Sequence, residues 1–211
     1  MADLILSLDV EDRTRALAIA RACAPHVDAI KVGYPLVLSA GLSIAGDLMP
    51  LGLPLIADFK VADIPNTNQA ICTLAFRAGF SAIIAHAFPG EDALSGCVGV
   101  AHASGGACYA VAEMSHPGAA EFFHGGVAER LAALAVRCRA DGIIAPATRP
   151  DRVARLRQIV GPLKIFSPGV GAQGGDLEAV KDLVDGIIVG RAIYGAPDPA
   201  GAAKELSRRC R

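Results

Sequence analysis

Leu55-Ile56-Ala57-Asp58-Phe59-Lys60-Val61-Ala62-Asp63 is an apolar run that ends in alternating charges. Residues 54–60 read as a strand, continuously apolar as expected when both faces are covered. Asp58 and Lys60 sit at its tip, two apart, so in a strand they point to the same face. Val61 and Ala62 then turn, and Asp63 comes back. Charges in such a place are tolerable when paired with opposite charges. The set is either a structural ion-pair network or a reactive centre.

Seven further runs of the same character flank this one: 4–10, 29–33, 81–87, 107–113, 142–147, 163–169 and 186–192. Helical patterns lie between them at 13–23, 66–78, 119–139 and 149–160, and 199–209 closes the chain. Asp12 and Asp198 are natural helix starts, and Gly79 a natural stop. Strands recur about every 25 residues, the period of βα units. Eight units without a long linker predict one domain over residues 1–211, a closed (β/α)8 TIM barrel of the α/β class. A doubly wound open sheet is the alternative, and its reordered strands leave no mark in the sequence. The longest spacer, 115–126, is glycine-rich and reads as a binding loop or lid.

In a parallel barrel, chemistry gathers at the C-terminal ends of the strands. Asp9 ends the first run and Lys31 lies near the end of the second. Glu113 and Ser115 follow the fifth, Pro168, Gly169 and Gln173 the seventh, and Gly190 and Arg191 end the eighth. Loops after the last two strands are the usual phosphate site of such barrels. Backbone N–H groups at Gly190 and Arg191, the Arg191 guanidinium and the Gln173 amide suit one phosphate. Residues 169–174 also fit G-x-G-x-x-G, but only one strand remains afterwards, too little for a dinucleotide-binding half-domain.

Bulk properties narrow the function further. The 211 residues are 53% hydrophobic and 19% charged, which excludes a disordered chain. A net charge of −1 gives no broad surface for nucleic acid or anionic membrane. The acidic opening Met1-Ala2-Asp3 lacks the basic flank of a signal peptide, and no apolar run approaches the ~20 residues of a membrane span. A soluble cytoplasmic protein is expected. Six scattered cysteines without C-x-x-C, and five histidines without H-E-x-x-H, predict no metal site, and the cysteines read as small buried hydrophobes.

Together these residues resemble orotidine 5′-monophosphate decarboxylase, in its short microbial or archaeal form, over essentially the whole chain. The resemblance is carried by Leu8-Asp9, Ile30-Lys31-Val32-Gly33, Asp58-Phe59-Lys60-Val61-Ala62-Asp63-Ile64-Pro65-Asn66-Thr67, Met114-Ser115-His116-Pro117-Gly118, Ser167-Pro168-Gly169 and Val189-Gly190-Arg191. It implies a carboxy-lyase that converts orotidine 5′-monophosphate to uridine 5′-monophosphate and CO2, the last step of de novo pyrimidine biosynthesis, with no cofactor. Lys31, Asp58, Lys60 and Asp63 match the family's charge tetrad, with Lys60 as proton donor to C6 and Asp58 beside the substrate carboxylate. Asp9, Lys31, Asp63 and Thr67 would bind ribose, and Ile64 joins the substrate-binding set. Ser115 would read the pyrimidine, and Pro168, Gln173, Gly190 and Arg191 would line the phosphate end. Asp63 and Thr67 would cross into a partner's site, so a homodimer is implied. Two rivals remain. One is a magnesium-dependent sugar-phosphate synthase or decarboxylase of the same barrel type, which carries an acid where this chain has Lys31. The other is a non-catalytic phospho-ligand-binding barrel.

Overall fold

A computed structural model describes residues 1–171 and 174–211. The strands are β1 (Asp3–Ser7), β2 (Ala29–Gly33), β3 (Leu55–Val61), β4 (Ala82–His86), β5 (Ala107–Val111), β6 (Gly142–Ile144), β7 (Lys164–Pro168) and β8 (Gly186–Val189). Each pairs in parallel with its neighbours in sequence order, and β8 closes on β1 with Ile188 opposite Ile5. The closed ring settles the architecture in favour of the (β/α)8 barrel over the open sheet.

The pleat explains why the strands are apolar throughout. Ile5, Ile56, Ile84, Tyr109, Val111, Ile144, Phe166 and Ile188 point inward and fill the barrel. Tyr109 and Phe166 meet there edge to face, with ring centroids 4.8 Å apart. Their strand neighbours, such as Leu4, Leu6, Ile30, Val32, Ile83, Ile143, Ile165 and Ile187, face outward and are covered by helices. Each fully buried aliphatic side chain contributes about 1.5–3 kcal/mol against exposure. Gly142 lets β6 and β7 approach, because a Cβ there would lie 2.4 Å from the Lys164 carbonyl oxygen.

The outer layer comprises α1 (Arg13–Cys23), α2 (Tyr34–Ala40), α3 (Ile44–Leu48), α4 (Pro65–Ala78), α5 (Glu91–Ala103), α6 (Ala119–Phe123), α7 (Val127–Arg137), α8 (Pro150–Val160), α9 (Leu177–Val180), α10 (Arg191–Tyr194) and α11 (Pro199–Cys210). Asp12 caps α1 through the Arg15 N–H at 2.6 Å, and Asp198 caps α11 through Gly201 N–H at 3.0 Å. Gly79, left-handed at φ 109°, ends α4. All six cysteines are free and buried, the small-hydrophobe role expected of them. Among the described residues no single helix is long and apolar enough to cross a bilayer.

Several strand ends fall short of their apolar runs. β1 stops at Ser7, β6 at Ile144 and β8 at Val189. Leu8, Val10, Ala145 and Ala147 continue those runs because the loops above the strands are themselves buried. The helical pattern at 119–139 is two helices, split where Gly125 and Gly126 take positive φ of 65° and 87°. The spacer read as a loop at 115–126 therefore contains α6. Helices α2, α3, α5, α9 and α10 carried no clear period, being short or, in α5, apolar nearly all round and interrupted by two glycines.

Candidate active site

The C-terminal rim of the barrel encloses a cavity of about 330 Å3. Ile84, Val111, Ile144 and Ile188 form its apolar floor, and charges cluster on the side built by β1, β2 and β3. Lys31, from the middle of β2, extends to the rim with its side chain only 6% exposed. Its ammonium lies 2.5 Å from Asp58 Oδ2 and 3.8 Å from Asp9 Oδ1. The other oxygen of Asp58 accepts from Lys60 Nζ at 2.7 Å. One carboxylate thus holds two ammonium groups, one buried and one facing the cavity.

Burial pushes the Asp58 carboxyl up, but the Lys31 and Lys60 charges, and then their hydrogen bonds, outweigh it and hold the group below its ordinary value. Asp58 is therefore an anion at neutral pH, in a place where an unpaired carboxylate would neutralise itself. Burial, followed by the Lys60 charge, pushes the nearby His86 imidazole down to about 4. His86 is therefore neutral near pH 7.

Lys60 reaches Asp58 by an irregular route. The β3–β4 pairing jumps from Ala57↔Ile83 to Val61↔Ala85, so β3 carries a bulge. Lys60 has φ 44°, one of two non-glycine residues with positive φ among those described. The expected meeting of Asp58 and Lys60 occurs, through a bulge that re-aims the side chain and not through plain alternation.

Asp63 corrects the sequence reading. It does not come back to the charged group of its own chain. Ile64 precedes a proline and is extended, at φ −65° and ψ 157°, which swings the loop outward before α4. The Asp63 N–H donates to Asn68 Oδ1 at 2.9 Å, and Asp63 Oδ1 accepts from the Ile64 N–H at 2.6 Å. Asp63 and Ile64 are exposed and line a shallow depression with Pro89 and Asp92. Thr67, in the first turn of α4, likewise lies outside the cavity.

The rest of the rim carries Ser115, Pro168, Gly169, Val170, Gly190 and Arg191. After β7 the chain folds back on itself, with Gly175 N–H donating to the Gly169 carbonyl at 2.9 Å. A Cβ at Gly175 would sit 2.7 Å from that oxygen, so this approach needs glycine. Arg191 opens α10, is exposed, and forms no ion pair among the described residues. Gln173 lies outside the described residues.

Three groups in this site escaped assignment from sequence. Ser7 donates to Asp9 Oδ2 at 2.7 Å, a contact their spacing of two along the first apolar run could have suggested. Glu113 is fully buried and faces Arg149 Nη1 at 3.1 Å, the Arg152 guanidinium and His124 Nε2 at 3.5 Å. Arg149 also donates to the carbonyls of Met114 and His116, and Thr148 Oγ1 to that of Ser115. Three successive carbonyls around Ser115 are thus held from the segment that enters α8. Sequence marked Glu113 only as a strand end, because its arginines come from about 36–39 positions later.

Comparison with known proteins adds an independent line. Residues 2–206 match the model of the family described as "Orotidine 5'-phosphate decarboxylase / HUMPS family". A Methanococcoides burtonii protein named orotidine 5′-phosphate decarboxylase is 54% identical over 205 residues, spanning 96% of this chain and 94% of that one. The Thermococcus kodakarensis protein of the same name is 48% identical over 206 residues, with 96% and 94% covered. Among solved structures, the Methanocaldococcus jannaschii orotidine 5′-monophosphate decarboxylase, complexed with the inhibitor BMP, superposes with TM-score 0.96 at 43% identity over 100% of this chain and 99% of its own.

Proposed function

This chain belongs to the orotidine 5′-phosphate decarboxylase / HUMPS family, and on that premise we propose that its own Lys60, held by Asp58, carries the decarboxylation of orotidine 5′-monophosphate to uridine 5′-monophosphate. The observation that carries this reading is the single carboxylate of Asp58 bridging a buried and a cavity-facing ammonium.

Loss of CO2 leaves an electron pair in the plane of the pyrimidine at C6, where ring resonance cannot take it up. An ammonium fixed beside C6 stabilises that charge and then protonates it. At ~4 Å and an effective dielectric near ~20 such a contact is worth about 4 kcal/mol. The largest common enzymatic barrier reductions are ~23 kcal/mol, so preorganised charge, water exclusion and remote binding energy supply the remainder. The Asp58–Lys60 contact is that preorganisation. The substrate carboxylate would lie beside the Asp58 anion, and its departure as neutral CO2 relieves the repulsion.

The other assignments follow the walls of the cavity. Asp9 and Lys31 would bind ribose hydroxyls, and Ser115 the pyrimidine edge. Gly190, Arg191 and Pro168, with Gln173, would form the phosphate end. The reaction so written needs no cofactor and no metal. Lys31 contacts Asp58 where the magnesium-dependent branch of the family would place an acid, which favours the decarboxylase of orotidine monophosphate over a sugar-phosphate enzyme.

Asp63, Ile64 and Thr67 would serve a second copy of the chain. Ile64 is 65% exposed, an apolar side chain on the depression that Asp63 lines. Covering that surface with a homodimer partner would remove it from water and would carry Asp63 and Thr67 toward the partner's ribose. The whole chain, 1–211, then acts as one domain per protomer, in the cytoplasm.

The test is turnover of orotidine 5′-monophosphate, followed by loss of its ultraviolet absorbance, with and without a chelator. Absorbance should fall at the same rate in both. No turnover, or turnover lost in chelator, would overturn the assignment.

A further inference from the structure

The bulge that carries Lys60 is held by a residue outside the charge network. In β2 and β3 the register pairs Gly33 with Asp58, and the ladder between them ends there. On the other side, the β3–β4 pairing skips from Ala57 to Val61. Phe59 therefore has no ladder partner on either side, although the residue is only 6% exposed. A backbone carbonyl in such a place needs another donor.

Tyr34 supplies it. This residue follows Gly33 and opens α2, so it stands one step past the last rung of the β2–β3 ladder. Its hydroxyl donates to the Phe59 carbonyl at 2.5 Å. Its ring stacks on the Phe59 ring, with centroids 5.5 Å apart and planes 16° apart. Phe80 closes on Phe59 edge to face, with centroids 5.7 Å apart. Both the side chain and the carbonyl of residue 59 are thus fixed immediately before the left-handed backbone at Lys60. A non-glycine residue stays in that conformation only where its surroundings over-determine it. Burial, and then the Asp58 charge, push the Tyr34 hydroxyl above its ordinary value, so it remains a donor through the neutral range.

We propose that Tyr34 is a positioning residue for Lys60: its hydroxyl substitutes for the missing ladder partner of Phe59 and holds the bulge that aims the Lys60 ammonium at Asp58 and at the reacting carbon. The proposal rests on the reading of Lys60 as proton donor and extends it to a residue that touches neither substrate nor the charge network. Tyr34 acts on the proton-transfer step, and so on kcat, and leaves the ribose and phosphate contacts alone.

Tyr34→Phe tests this, because it deletes the donor and keeps the stacked ring. Three quantities separate the outcomes: kcat for orotidine monophosphate, the Kd of uridine monophosphate, and the rate at which uridine monophosphate exchanges its C6 hydrogen with deuterated water, the reverse of the proton delivery. The expected result is a fall of about tenfold in kcat and in the exchange rate, with Kd within twofold of the parent. Incorporating 4-aminophenylalanine at position 34 restores a donor and should recover most of the loss, even if Tyr34→Phe proves poorly folded. A kcat within twofold of the parent in Tyr34→Phe, or equal losses in kcat and nucleotide affinity that the amino analogue does not repair, would overturn the proposal. A parent without turnover would instead overturn the functional reading, and this proposal with it.

Discussion

Lys31 Nζ lies 2.5 Å from Asp58 Oδ2, with side-chain exposures of 6% and 9%. Neither charge is stable alone in that place, and each is the reason the other can stay. Asp58 is thereby fixed with one oxygen left to hold Lys60 at the cavity.

Asp58→Asn removes the anion and keeps the shape. It should leave Lys31 buried with only the more distant Asp9, 3.8 Å away, as counter-charge, at a cost of roughly 3–5 kcal/mol and a fall in Tm on the order of 10 °C. Turnover should drop at least about 100-fold, since Lys60 loses its anchor. The folded-state value of the Asp58 carboxyl lies below its unfolded value near ~4, so its contribution to stability is present above that pH and lost as pH falls below it. Thermal melts taken from pH 6 to pH 2 should show a shallower acid slope for Asp58→Asn than for the parent. Parallel slopes would contradict the pairing.

Gly33 governs Asp9 by its lack of a side chain. A Cβ there would lie 2.5 Å from Asp9 Oδ1, and φ of −101° makes alanine acceptable to the backbone. Gly33→Ala should therefore fold normally but displace the Asp9 carboxylate from its place beside Ser7 and Lys31. KM for orotidine monophosphate should rise about three- to tenfold with kcat little changed. An unaltered KM would remove Asp9 from the ribose site.

Glu113 and Arg149 brace the wall that presents Ser115. Glu113→Ala should leave two arginines facing an empty buried site and cost about 3–5 kcal/mol. Arg149→Ala releases the carbonyls on either side of Ser115 and should raise KM about tenfold. Chemical-denaturation curves measure the first and steady-state kinetics the second. A KM for Arg149→Ala equal to that of the parent would show that the brace does not set the base-reading geometry.

The crossing of Asp63 can be tested by mixing two inactive proteins. Lys60→Ala keeps a sound Asp63, and Asp63→Asn keeps a sound Lys60. In a mixed dimer the site built on the second protein's Lys60 would receive the first protein's Asp63. Unfolding and refolding the two together should restore about one quarter of parental activity per site. No recovery, with mixed dimers present by native mass spectrometry, would place Asp63 outside the partner's site.

The barrel was legible because its strands are buried on both faces. Ile5 points into the barrel and Leu4 and Leu6 toward the helices, so an uninterrupted apolar run marks a parallel strand. Asp9, Lys31, Asp58 and Lys60 were legible because polar residues at the tips of such runs gather at one rim. Asp63 went astray because its direction depends on the loop before Pro65, which strand period does not govern. The bulge at Lys60 was hidden because Val61 continues the apolar pattern through it. Glu113, Arg149 and Tyr34 owe their roles to partners on other strands or loops, which a single sequence does not pair.

The proposed decarboxylation depends above all on the Lys60 ammonium delivering the proton to C6 as CO2 leaves. Its most direct test is Lys60→Ala, measured for kcat with orotidine monophosphate and for equilibrium binding of uridine monophosphate. The expected result is a loss of at least about 1,000-fold in kcat with nucleotide binding still measurable. Retention of most of kcat would contradict it.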